Sequence, residues 1–286
     1  MSSSNATLIN DSDVAFGGTA PNCTATLTPN TNEYGSATIT LEVSDGSLTA
    51  QDTFNLTVNI IPTLVGGNTI WLDASDSSTI FQDTGCTVAS TNSDPVGCWQ
   101  DKSGNNNHVT ASGGDRPTLS SSTIQFSGDA GANTTGNCMD LNSISTAQTI
   151  IIVIENAITV LDGAHAVLGF TDFNEFLFLS TNRGYTVSFN GTGSTTGQVA
   201  INNGSFSSTG EDVGASNVTS SLQILTMKYT SSLSTWAMIG CMTVTNADKR
   251  FRANYDLIEM IVYDNNISSD DLTNILNYLN AKHTVY

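Results

Sequence analysis

Residues 36–58 read SATITLEVSDGSLTAQDTFNLTV, and the spacing of their apolar side chains decides the fold class. Ala37, Ile39, Leu41 and Val43 fall on one face of an extended chain, with Thr38, Thr40 and Glu42 on the other, because side chains alternate sides along a strand. Phe54, Leu56, Val58 and Ile60 repeat the pattern, so both runs read as half-buried strands. Between them stands Asp45-Gly46, a hairpin signal, since glycine takes positive φ without strain. On the amino-terminal side, ATLI, DVAF and CTATLTP are further short runs separated by Gly, Pro and Asn turns. On the carboxyl-terminal side Pro62 breaks the strand, and Gly66-Gly67 makes a short connection. The sequence therefore predicts a first module over residues 1–62, a linker over 63–68 and a second module over 69–286.

From Gly67 onward β signals continue almost without interruption. Twelve strand-like runs lie between Thr69 and Asp264, among them TIWLD, TIIIVIE, GYTVSFNG, LQILTMKY, TWAMIGCMTVT and YDLIEMIVYD, joined by Asn, Gly and Ser turns. So many short strands at regular spacing predict one large sandwich or jelly roll. The last segment differs. Ser268-Ser269-Asp270-Asp271 resembles a capping-box start, and Leu272, Ile275, Leu276 and Leu279 follow at helical spacing. One short carboxyl-terminal helix is predicted there. The fold class is all-β with that single helix.

Composition narrows the function. In 286 residues there are 8 Lys and Arg against 26 Asp and Glu, a net charge of −18. A phosphate backbone needs clustered cations, so nucleic acid is excluded as a partner, and an anionic membrane surface is disfavoured for the same reason. Charged residues make up 12% of the chain, about half the usual share; this polar, weakly charged mixture suits an extracellular β-protein. No apolar run approaches the roughly 18 residues of a spanning helix, so no membrane insertion is expected. The chain opens MSSSNATLIND, without a basic end or an apolar stretch. Either a leader was removed or the chain is a piece of something longer.

Two resemblances follow from particular motifs. SSSNATLI, LTPNTNEYGSATITLEVSDG and DTFNLTVN, over about 60 residues, resemble the cadherin-like, immunoglobulin-like repeats of bacterial surface and adhesion proteins. Repeats of that family carry one or two strands before the SSSN-like segment, and this chain starts without them. The resemblance thus implies an incomplete small sandwich, which pairs with a strand from a neighbouring chain or from an upstream part of the same polypeptide. From Thr69 to His283, IWLDASDSSTI, CWQDKSGNNNHVTASGGDRPTL, STIQFSG and LIEMIVYDNNISSDDLTNILNYLNAKH stand in order. They resemble the concanavalin A-like (laminin-G-like) jelly roll of many bacterial surface and carbohydrate-related proteins. Members of that family bind glycans, proteins or calcium through rim loops, but no motif here maps those ligand positions. The segment between Cys86 and Cys98 looks like an insertion.

Several constellations bear on chemistry. A glycosidase on such a fold needs two carboxylates on one strand facing one cleft; no E-x-D-x-x-E arrangement occurs, and Asp256 and Glu259, three apart, face opposite sides. His108, His165 and His283 are scattered, with no G-x-S-x-G elbow and no phosphate loop. Asp101, Ser103, Asn105 and Asn107 present alternate oxygens that could ligate calcium, with Asp73, Asp76 and Asp83 nearby; the competing reading is a tight Asx turn. No cofactor is required, and a structural calcium could be held there. Trp71 and Trp99 read as core, whereas Trp236 reads as partly exposed and able to stack on a sugar. Lys249, Arg250 and Arg252 form a basic cluster that could hold an acidic sugar or sulfate, or an internal salt bridge.

Five cysteines make no CxxC pair, so zinc is not expected. Cys86 and Cys98 bracket a polar loop and read as a disulfide giving roughly 2–3 kcal/mol. Cys138 and Cys241 sit in strand-like sequence and could join neighbouring strands. Cys23 is left over, and the competing reading is five reduced, buried thiols. Nine N-x-[ST] sequons occur, a number that this composition generates by itself. The leading expectation is a non-catalytic adhesion or recognition module at the cell surface, binding a glycan or a partner protein. Alternatives are a filament or layer subunit built from copies of itself, and a glycan-processing domain.

Overall fold

A computed structural model describes residues 1–19, 21–128, 136–141, 146–158, 164–170, 176–180, 197–208, 221–229, 236–245, 248–250 and 254–286. Among the described residues the chain is mostly β, in several antiparallel sheets with one α-helix. It divides into two compact units, Met1–Leu64 and Val65–Tyr286.

In the first unit, Gly35–Ser44 and Thr49–Val58 form the predicted hairpin, paired from Gly35↔Val58 to Ser44↔Thr49. Its turn works as the Asp-Gly signal requires. The Asp45 carboxylate accepts the N–H groups of Ser47 and Leu48 at 2.9 and 2.8 Å, and Gly46 has φ +90°. Ser2–Ser3 adds a short third strand, and Val14–Thr19 with Asn22–Leu27 forms a separate hairpin. Ala37 and Ile39 are buried with Leu8 and Ile9. The alternation fades along the strand: Val43 is 69% and Phe54 40% exposed. Val43 lies near the hairpin tip beyond this small core, whereas Phe54 stays exposed although it pairs with the buried Ile39. Among the described residues, Thr49–Val58 has Gly35–Ser44 as its only paired strand.

The second unit is a two-sheet sandwich with a helix on one outer face. One sheet centres on Thr149–Ile158 between Asn254–Tyr263 and Gln223–Tyr229, with Gly197–Ile201 beyond and Asn68–Asp73 on the far side of Asn254–Tyr263. The other runs from Phe176–Ser180 through Ala164–Phe170, Trp236–Ile239 and Met139–Leu141 to Ile80–Phe81. Ile150, Ile152 and Ile154 face the core between the sheets with Trp99, Val109 and Leu168. Ile151 and Val153, on the opposite face, are fully buried as well. A strand buried on both faces reads as a continuous apolar run, which is what TIIIVI is.

That second face is covered by the helix Ser269–His283. Ser268 caps it, accepting the Asp271 N–H at 3.0 Å, and Leu272, Ile275, Leu276 and Leu279 are its buried residues, as the spacing predicts.

Both predicted disulfides form: Cys86–Cys98 and Cys138–Cys241 each have Cα atoms 5.4 Å apart. Cys138 and Cys241 flank strands that pair at Met139↔Ile239, so this bridge joins neighbouring strands. Cys23 is a free, exposed thiol. One predicted strand is corrected. TWAMIGCMTVT is two strands, Trp236–Ile239 and Met242–Thr245, broken at Gly240, whose φ is +85° and where a Cβ would lie 2.3 Å from the Phe126 ring. GYTVSFNG lies outside the described residues.

Candidate functional site

The four residues of the expected calcium turn do come together, but as hydrogen-bond partners of one another. Asp101 is buried, and Oδ1 accepts the N–H groups of Trp71 and Ser103 at 2.8 and 2.9 Å. Oδ2 accepts the Ser103 hydroxyl at 2.7 Å and the Asn107 N–H at 3.0 Å. The Asn105 and Asn107 amides donate outward, to the carbonyls of Asn68 and Thr69, each at 2.9 Å. With both carboxylate oxygens met by donors, the donor set does not fit a calcium ion, which needs six to eight free oxygens. The turn instead ties its loop to the strand Asn68–Asp73. The nearby acids are engaged too: Lys102 Nζ reaches Asp73 at 2.9 Å and Asp76 at 2.8 Å, and Asp83 accepts N–H groups of its own loop. Among the described residues, no three His, Cys, Asp or Glu side chains converge as a metal site.

Of the expected ligand-binding residues, Trp236 opens Trp236–Ile239, and Lys249 and Arg250 lie in Asp248–Arg250, which pairs with Met242–Thr245. Their side chains and the whole of Arg252 lie outside the described residues.

A buried charge cluster sits where the helix ends. Glu259 and Asp73 are direct cross-strand partners, and both are buried. Two carboxylates so placed repel unless cations separate them. Lys282 does so, with Nζ 2.8 Å from each. Glu259 also accepts the Trp71 indole N–H at 2.7 Å and the Tyr278 hydroxyl at 3.2 Å, and His283 Nε2 lies 2.7 Å away. Burial alone would raise the Asp73 carboxyl, but hydrogen bonds from Lys282, Ser75 and Lys102 bring it down to about 2. Burial, reinforced by the Glu259 charge, pushes the Tyr278 hydroxyl well above its ordinary value. Every carboxylate here is held by donors, so the cluster fastens the helix to the sheet and leaves no free acid or base facing a cleft.

A cleft of about 350 Å³ opens at the other end of the helix. Its floor is the strand pair Gly197–Ile201 and Gln223–Tyr229, where Ala200 lies opposite Thr226 and Gln198 opposite Lys228. Leu272 and Leu276 of the helix form one wall, and Phe206 stands at the rim. Thr226 is fully buried, and its hydroxyl has no hydrogen-bond partner among the described residues. The Lys228 amine is lowered from its ordinary value by burial. Sequence reasoning missed this cleft because its residues come from three separate segments, each with an ordinary strand or helix pattern.

No protein-family model matches this chain, and no curated protein sequence matches it.

Proposed function

We propose that the chain is a non-catalytic extracellular recognition module that binds a glycan in the cleft beside the helix. The observation that carries this reading is the unpartnered Thr226 hydroxyl at the floor of a polar cleft. A buried hydroxyl without a partner costs about 1–3 kcal/mol, a cost that a bound hydroxyl-bearing ligand removes. The jelly-roll resemblance of residues 69–283 agrees with a carbohydrate ligand. Two disulfides favour an oxidising compartment, and no helix among the described residues is long and apolar enough to cross a membrane. Absence of catalysis is supported by the engagement of Asp73, Asp256 and Glu259, the buried carboxylates of the sheet. The test is a glycan array probed with the full chain. Binding to a subset of glycans, lost in Thr226→Val, is the expected result; a flat array rejects the reading.

A second reading is assembly with copies of itself by strand addition. It is favoured by the ten-residue strand Thr49–Val58, which has a partner on only one side among the described residues.

A further inference from the structure

We propose that the sugar held in this cleft carries a carboxylate, and that Lys228 seats it; this rests on the glycan reading above. The first argument is the lysine itself. Three lysine side chains are described, in a chain with 26 acidic residues. Lys102 is paired with Asp73 and Asp76, and Lys282 with Asp73 and Glu259. Lys228 has no carboxylate within 4.0 Å among the described residues; its Nζ donates only to the Ile267 carbonyl, at 2.9 Å. An ammonium has three N–H donors, so two remain. A partly desolvated cation with spare donors gains most from an anion, because charge-assisted hydrogen bonds are roughly twice as strong as neutral ones.

The surroundings of that amine suit a sugar better than a bare ion. Thr226 and Lys228 are two apart on one strand, so both point to the same face. Ala200, opposite Thr226, is small, and both line the floor of the cleft. Gln198, opposite Lys228, and Asn203 are exposed amides able to donate and accept. Lys228 Nζ lies over the Phe206 ring, 5.6 Å from its centroid, and this cation–π contact holds the amine at the cleft. A uronic acid answers both sets of groups, with a carboxylate for the amine and hydroxyls for the amides and Thr226. The net charge of −18 repels anions at long range, so uptake of a carboxylate would report the local amine and not general attraction.

Calorimetric titration of the full chain with glucuronate and galacturonate, against glucose and galactose, decides the matter. Each acid is expected to bind about tenfold more tightly than its neutral counterpart. Lys228→Met should erase that difference while changing neutral-sugar affinity less than about twofold, and Lys228→Arg should retain it. Thr226→Val should weaken all four sugars several-fold without lowering the thermal midpoint, which separates a ligand contact from a folding defect. Equal affinity for acid and neutral sugars, unchanged in Lys228→Met, overturns the carboxylate proposal and leaves the glycan reading standing. Acetate binding as well as the uronates do, with neutral sugars not bound, leaves an anion site and overturns both the sugar and the glycan reading. Binding of none of these probes overturns both.

Discussion

A carboxylate taken out of water loses several kcal/mol of hydration unless donors replace it. Asp73 shows the balance, because its donors outweigh its burial and bring it down to about 2. A carboxyl group whose folded value lies below its unfolded value of about 4 stabilises the fold above pH 4, and that stability disappears as pH falls from about 4 to about 2. The loss should be on the order of 2 kcal/mol, read as a drop in urea midpoint, and Asp73→Asn should flatten the profile over that interval. An unchanged profile in Asp73→Asn would mean that other acids set the acid limit. At Asp101 the outcome concerns metal. Excess EDTA should leave the thermal midpoint unshifted, because donors hold both oxygens, whereas Asp101→Ala should cost roughly 1–3 kcal/mol by stranding the N–H groups it accepts. At this scale the sequence was only half legible. Spacing brought Asp101, Ser103, Asn105 and Asn107 together, but whether their oxygens accept N–H groups or face outward depends on Trp71, thirty positions away. The cleft was hidden for a similar reason: Lys228, Thr226 and Phe206 carry no joint motif, and only strand pairing and the helix bring them to one place.

The helix was fully legible because its start and its apolar stripe are local in sequence. Leu272, Ile275, Leu276 and Leu279 recur at the period of a helix, and nothing distant had to be known to see them. Leu276→Ala should cost roughly 2–4 kcal/mol of stability, by lost burial plus the cavity left behind. Because Leu276 also walls the cleft, glycan affinity should fall in the same variant; unchanged stability would mean that the helix packs loosely. The strand Trp236–Ile239 shows the opposite case. Its alternation continues past Gly240 into Met242–Thr245, yet the backbone turns at Gly240, where φ is +85° and the Phe126 ring fills the space that a Cβ would need. That obstacle lies more than a hundred positions away, so no local pattern reports it.

At the scale of the whole molecule the two units differ in how much they bury. The first has a core of Leu8, Ile9, Ala37 and Ile39, little for its length. Calorimetry should show two transitions, the lower belonging to Met1–Leu64; a single cooperative transition would contradict this. If strand addition operates, light scattering should show mass rising with concentration, and Phe54→Lys, placing a charge on the exposed apolar face, should suppress it. Constant monomer mass in the unmodified protein would remove that reading. The charge cluster at the end of the helix has a further consequence, a mechanical one. Lys282 and His283, a few residues from the last residue, grip Glu259 and Asp73 in the two strands beneath. A pull on the chain beyond the helix therefore meets these contacts first. Once they yield, the helix is expected to peel away from that end and strip the wall from the cleft, so that under the proposed reading ligand release under tension is set by the rupture of the Lys282 and His283 contacts.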